Sequence, residues 1–293
     1  MSSLAAILLL LLVPTQQQPH DKAYWKGISA AKFEVPAGET ARGLAAELAT
    51  NLGSADPELR DDLSFTILSS WIYDKKFLGP DDLRPLARTL EGHLRQGIEA
   101  PGTDDVLLRS FSALTLSTIA ARDNVTPFFT AEEYGHLLDS ALTYFRDERD
   151  TRGFDTQKGW IHTAAHTSDL LKFLARNPRL AIADQARILS ALLAKNRDAA
   201  AAYSQGEDER MARAAISILR RTDFDRDGFK TWLSAAQSAA TFPNPPAVAT
   251  LRAQQNVRHL LSSLWIELSS DERPSEGADF ARAALRETIR KLF

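Results

Sequence analysis

The sequence predicts an all-α protein, and three observations carry that expectation. From Thr40 onward apolar residues recur at helical spacing without a break. Cap and turn signals arrive at short intervals along the same stretch. No run alternates apolar and polar residues with the period of two that a half-buried strand requires. The segments amount to about ten or eleven helices of about 12 to 20 residues, and their short loops imply antiparallel neighbours. Pairs recurring about every 40 residues suit a single α-solenoid of the HEAT or armadillo kind, whose units bury their apolar faces only against one another. No repeated sequence signature accompanies them, so a helical array without true repeats stays open. Neither a composition shift nor a long linker divides the chain, which is read as one helical domain over residues 23–293.

Residues 1–18 are read as a secretory leader. Leu4 to Val13 is an apolar run of the length of a leader's core, too short to span a bilayer, and Pro14 and the polar Thr15-Gln16-Gln17-Gln18 follow it. The expectation is therefore an exported protein, periplasmic or secreted. Against it, no Lys or Arg precedes the run and no small-x-small cleavage pattern follows, as for a docked first helix in a cytoplasmic protein. From Ala23 to Gly38 the chain reads as irregular, anchored by Trp25 and Phe33.

Helix boundaries then follow in order. Asp56-Pro57 places a capping carboxylate before a proline suited to the first turn, opening a helix through Leu63, Ile67 and Trp71. Gly79-Pro80 ends one segment and starts another. Thr103-Asp104-Asp105 and Thr130-Ala131-Glu132-Glu133 offer a Thr cap with an acidic first turn, the second as a full capping box. Asn177-Pro178 closes a helix, Ser204-Gln205-Gly206-Glu207 reads as another capping box, and Pro243 to Pro246 breaks the chain before a long helix through Leu251, Leu260, Leu264 and Ile266. No later segment is long and apolar enough to cross a bilayer.

Composition narrows the function classes. A chain of 293 residues can bury a substantial core. A net charge of only −3, with 25% charged residues, gives no basic field to gather nucleic acid and no acidic bulk suggesting disorder. Cysteine is absent, which removes disulfides, thiolate zinc sites and cysteine nucleophiles together.

Chemistry concentrates in Arg152-Gly153-Phe154-Asp155 and in Gly159-Trp160-Ile161-His162-Thr163-Ala164-Ala165-His166-Thr167-Ser168-Asp169-Leu170-Leu171. On a helix of about 100° per residue, His162, His166 and Asp169 fall within about 60° of arc, while Trp160, Ala164 and Leu171 point the other way. Two imidazoles four residues apart can reach one divalent metal ion, with Asp169 as third ligand or as an orienting partner. Alternatively His162 or His166, oriented by Asp169, acts as a general base while Arg152 holds an anion. Read plainly, both imidazoles are satisfied by hydrogen bonds to neighbouring segments. Thr163 stands where the zinc protease helix needs Glu beside the first histidine, so that class is excluded. Just before this segment Glu148, Asp150, Arg152 and Asp155 crowd together, and Gly153 and Gly159 permit tight turning. Arg152 can clamp a carboxylate or phosphate, or hold the loop by pairing with Glu148 or Asp150, and the loop-holding role is favoured slightly.

These residues resemble a bacterial family catalogued as a domain of unknown function, number 2785. Its mark is an acidic-Arg-Gly segment leading into Gly-Trp-x-His-x-x-Ala-His-x-x-Asp-Leu-Leu. Asp150, Arg152, Gly153, Gly159, Trp160, His162, Ala165, His166, Asp169, Leu170 and Leu171 match that pattern in order. Asp56-Pro57-Glu58-Leu59-Arg60-Asp61, Arg109-Ser110-Phe111-Ser112 and Gly206-Glu207-Asp208-Glu209-Arg210 look similar as well, so the resemblance reaches from Trp25 to Trp232. It implies a helical fold and a shared site, and nothing about a substrate. The apparent leader and a C-terminal helical stretch are its departures.

The outlying blocks supply further candidates. Glu207 and Arg210 sit one turn apart, and Glu207 can complete a His-His-Asp metal site or simply serve the helix start. Arg109 lies inside an apolar helix and needs a partner such as Asp150, Asp155 or Asp169, a structural ion pair being the favoured role. Arg60 and Asp61 read as helix-surface or interhelix pairing. Ligand contacts are thus expected from Arg152, Asp155, Trp160, Arg109, Glu207 and Arg210. Asp223, Asp225 and Asp227, with Gly228 at the sixth position, match the start of a calcium loop, but Ser234 stands at the twelfth where a bidentate Glu belongs. A capped acidic turn is the favoured reading there. Two functions remain: a scaffold binding a small molecule or a protein, which is preferred, or a metal-assisted or histidine-based hydrolase. No nucleophile, phosphate loop or complete ligand set supports the second.

Overall fold

Asp21, Thr40, Thr130, Asp225 and Ser275 each place a side-chain oxygen on a first-turn backbone N–H and so open a helix. A computed structural model of the chain describes residues 19–242, 244–270, 272–273 and 275–292. Among them run α1 (Lys22–Ala30), α2 (Ala41–Asn51), α3 (Thr66–Ser69), α4 (Pro80–His93), α5 (Asp105–Val125) and α6 (Ala131–Asp147). A two-stranded hairpin follows, β1 (Phe154–Asp155) and β2 (Gly159–Trp160). The chain continues through α7 (Thr163–Arg176), α8 (Ile182–Arg197), α9 (Glu207–Leu219), α10 (Arg226–Ala240), α11 (Val248–Ser270) and α12 (Glu276–Ile289). The described chain is therefore mainly helical, as its periodicity predicts. Among its described residues no helix is long and apolar enough to cross a membrane. The expected leader, residues 1–18, lies outside the described residues.

Helices α5, α7, α9 and α11 pack side by side in that order, and α6, α8, α10 and α12 form a second row against them. The apolar core runs as one cluster from Trp25 to Leu285. Val106, Leu107 and Ile161 form a small satellite cluster that ties the start of α5 to the residue after the hairpin. Because α7 has α5 on one side and α9 on the other, Thr163 to Leu171 are all buried, polar residues included.

Several local expectations change. The stretch after Ala23 is not irregular at first: Asp21 caps Tyr24 and α1 forms, seating Trp25 in the core. Around α3 the chain winds as π-helix over Glu58–Phe65 and Ser70–Asp74. The Ser64 and Thr66 hydroxyls there donate to the Leu59 and Asp61 carbonyls, five residues back, at 2.6 and 3.1 Å. Thr103 is not a cap, since its hydroxyl donates to the Ala100 carbonyl while Asp104 stands at the cap position without a side-chain bond. The box expected from Ser204 also fails: Gly206, in the left-handed region, is the N-cap of α9. Thr130 and Glu133 do form a reciprocal capping box. The break before α11 is present, although Pro243 lies outside the described residues.

Candidate functional site

The hairpin ahead of α7 is the element that periodicity could not show. Asp155 accepts from the Gln157 and Lys158 amides at 2.8 and 2.9 Å, which folds residues 155–158 into a tight turn. Phe154 then faces Trp160, and Ile161 and His162 extend the ladder by donating to the Gly153 and Arg152 carbonyls. Two glycines make this approach possible. A Cβ on Gly153 would collide with the Gln205 amide oxygen, which instead accepts from the Phe154 N–H at 2.5 Å. Gly159 has φ +70° and lies against Pro57.

A guanidinium pins the hairpin from 98 residues away in sequence. Arg60, 0% exposed, donates to the Ser54, Lys158 and Trp160 carbonyls and sits 4.8 Å above the Phe111 ring. On the other side Arg152 grips Asp150 through Nε and Nη2 and donates to the Thr103 carbonyl. Thr163 donates its hydroxyl to the Asp150 carbonyl at 2.7 Å, closing the loop onto the start of α7.

His162 is the N-cap of α7 and adopts a left-handed conformation, φ 51° and ψ 38°. For a residue other than glycine this is a rare backbone state, although histidine tolerates it better than most. Trp160 stacks on its ring at 4.7 Å with a 20° interplanar angle, and Phe154 meets Trp160 edge-on at 5.1 Å. Below, His162 meets His166 at 5.7 Å and His166 meets Phe111 at 5.0 Å. A column of rings thus runs from exposed Phe154 and Trp160 down to the buried core.

The two histidines differ chemically. Ser110 donates its hydroxyl to the Ile161 carbonyl, so the 2.9 Å contact with His166 Nδ1 is satisfied by an N–H on that nitrogen. Burial, with His162 and Arg210 nearby, holds His166 well below the usual imidazole range, so it is neutral near pH 7. The same contact removes Ser110 as a nucleophile, because its proton is committed and the residue is buried. Burial also lowers His162, opposed by the charge of Glu207. Its Nε2 is buried without a hydrogen bond and lies 3.5 Å from Glu207 Oε1. The other Glu207 oxygen accepts from the Gln205 amide at 2.8 Å.

The expected His162, His166 and Asp169 triad is not assembled around one point. Asp169 is taken by Arg210 and by Lys172, the latter at 2.7 Å, while His166 Nδ1 faces Ser110. Among the described residues no group of three or more His, Asp or Glu side chains could hold a metal ion. Trp160 does not oppose His162 across a helix, since it precedes α7 in a strand and stacks on that histidine. Arg152 and Asp155 hold the loop. Arg109 pairs with Glu148 at 2.7 Å, not with Asp150, Asp155 or Asp169, and so lies outside the ring column. The three calcium-loop carboxylates have separate local tasks. Asp223 receives Arg221 and Gln185, Asp225 caps α10, and Asp227, 91% exposed at its side chain, pairs with Lys230. The ligand candidates that do gather are Trp160, Glu207 and Arg210. Sequence reasoning missed Phe154, Ser110 and Gln205 as site residues and underrated Arg60; the outlying blocks held the signal for Ser110 and Arg60.

A family model described as a protein of unknown function (DUF2785) matches residues 94–266, which include the hairpin, α7 and α9. No curated protein and no solved structure matches the chain.

Proposed function

The chain belongs to the DUF2785 family, and on that footing we propose that it is a ligand-binding helical protein that grips a ring-bearing polar molecule where the hairpin meets α7. The observation that carries this reading is the pairing of an exposed aromatic with a strained histidine. Trp160 is 39% exposed and stacks on His162, whose left-handed backbone and buried Nε2 without a hydrogen bond both cost stability. Such a backbone outlier costs about 1–3 kcal/mol and persists where function or surrounding structure holds it. A ligand ring stacking on Trp160 would use its apolar surface, as aromatic platforms do, while Arg210 and Glu207 supply charge within electrostatic reach of His162. The two rows of helices support an α-solenoid scaffold over residues 23–293 that displays this site. The Leu4 to Val13 run supports export, and an intact N-terminus on cytoplasmic protein would contradict it.

Thermal-shift screening with sugars and nucleosides tests the binding reading. A stabilising compound whose effect disappears in Trp160→Ala supports it, and stabilisation unchanged in that variant overturns the assignment of the site.

One observation favours the hydrolase as a second reading, with altered roles. The Glu207 carboxylate beside His162 can orient a neutral imidazole as a general base, the task first given to Asp169. Arg152 has no part in it, because Asp150 and the Thr103 carbonyl occupy its guanidinium.

A further inference from the structure

A cavity of about 480 Å³ lies between α6, the loop that follows it and α8. Leu142, Phe145, Ala191 and Ala194 give it an apolar wall. The size is within the range of small-molecule sites.

Its charges are unevenly paired. Arg187 is engaged by Asp139 and Asp184, Arg146 by Asp147, Asp198 by Arg197, and Glu148 by Arg109. Arg149 and Lys195 line the same space, and neither forms an ion pair among the described residues. Lys195 Nζ donates once, to the Glu148 carbonyl at 2.7 Å, and lies 5.1 Å from the Phe145 ring centre. Burial pulls its ammonium down to about 8, with the Glu148 and Asp147 charges opposing and Arg149 reinforcing, while Arg149 itself lies within electrostatic reach of Asp147 and Asp198. Tyr203, 3% exposed, also lines the cavity, while its hydroxyl is buried within reach of the Glu207 charge. An apolar space lined by two cations that form no ion pair is complementary to one negative head on an apolar body.

We propose that this cavity binds an amphipathic carboxylate of medium-chain fatty-acid size, its head held by Lys195 and Arg149 and its chain laid along Leu142, Phe145 and Ala191. The site is separate from the ring column and does not depend on its reading. Calorimetric titration of the full chain with decanoate tests it, with decanol and acetate as comparators. Decanoate binds, decanol binds at least tenfold more weakly, and acetate gives no heat. Lys195→Met weakens decanoate at least tenfold and leaves decanol unchanged, with thermal unfolding confirming a folded variant. No decanoate binding at millimolar concentration, equal affinity for decanol, or equal affinity of wild type and Lys195→Met would each overturn the proposal.

Discussion

Replacing Arg60 by Met removes the clamp on the hairpin while keeping an apolar stem of similar reach. The guanidinium makes three hydrogen bonds to carbonyls, at Ser54, Lys158 and Trp160, and is completely buried. A hydrogen bond from a charged donor contributes about 1.5–3 kcal/mol, and relief of the buried charge offsets part of that sum. One offset is already visible, since Arg60 Nε is buried without an acceptor. The net destabilisation expected is about 2–4 kcal/mol, and Arg60→Lys recovers little because one ammonium cannot reach three carbonyls as a fork does. Urea unfolding gives the magnitude. Amide exchange at Ile161 and His162, whose N–H groups close the ladder onto Gly153 and Arg152, shows where the loss falls. A loss under about 0.5 kcal/mol, the range of ordinary surface changes, would refute the clamp. So would a full loss with unchanged exchange at those two amides.

Three further outcomes follow from the same contacts. His166 is held neutral in the fold, so the unfolded chain binds the extra proton below about pH 6.5; stability is fully present above that pH and falls beneath it, by at most about 1.4 kcal/mol per pH unit per histidine. His166→Asn should flatten the stability profile between pH 6.5 and 5, and an unchanged slope contradicts the assignment. Arg109→Met should cost about 3–5 kcal/mol by stranding the buried Glu148 carboxylate, and adding Glu148→Met should restore part of it; a double variant no better than the single one removes the pairing argument. Millimolar calcium should leave the melting temperature unchanged, because the carboxylates of Asp223, Asp225 and Asp227 serve separate partners; a calcium-dependent rise lost in Asp225→Asn would reverse that conclusion.

Local pattern carried the helices well, because caps such as Thr130 with Glu133 and breaks such as Asn177-Pro178 act within a few residues. The site was legible as a position but not as a geometry. A helical wheel begun at Trp160 put that ring opposite His162, yet the helix starts at Thr163 and a hairpin precedes it. What makes the hairpin is remote: Arg60, Pro57 and Gln205 meet it across long sequence separations. The same holds for Arg109, whose partner is Glu148, 39 residues on. Burial of the whole first half of α7 also comes from its two flanking helices rather than from its own amphipathic pattern.

The central claim is that Trp160 and His162 form a binding site rather than a packed joint. Fluorine NMR of protein labelled with 5-fluorotryptophan reads it directly, with the Trp160 resonance assigned through Trp160→Phe. The account predicts that a ligand found by thermal shift moves the Trp160 signal and leaves that of Trp25, which is fully buried in the core, in place. A bound ligand that leaves the Trp160 resonance unmoved would contradict it.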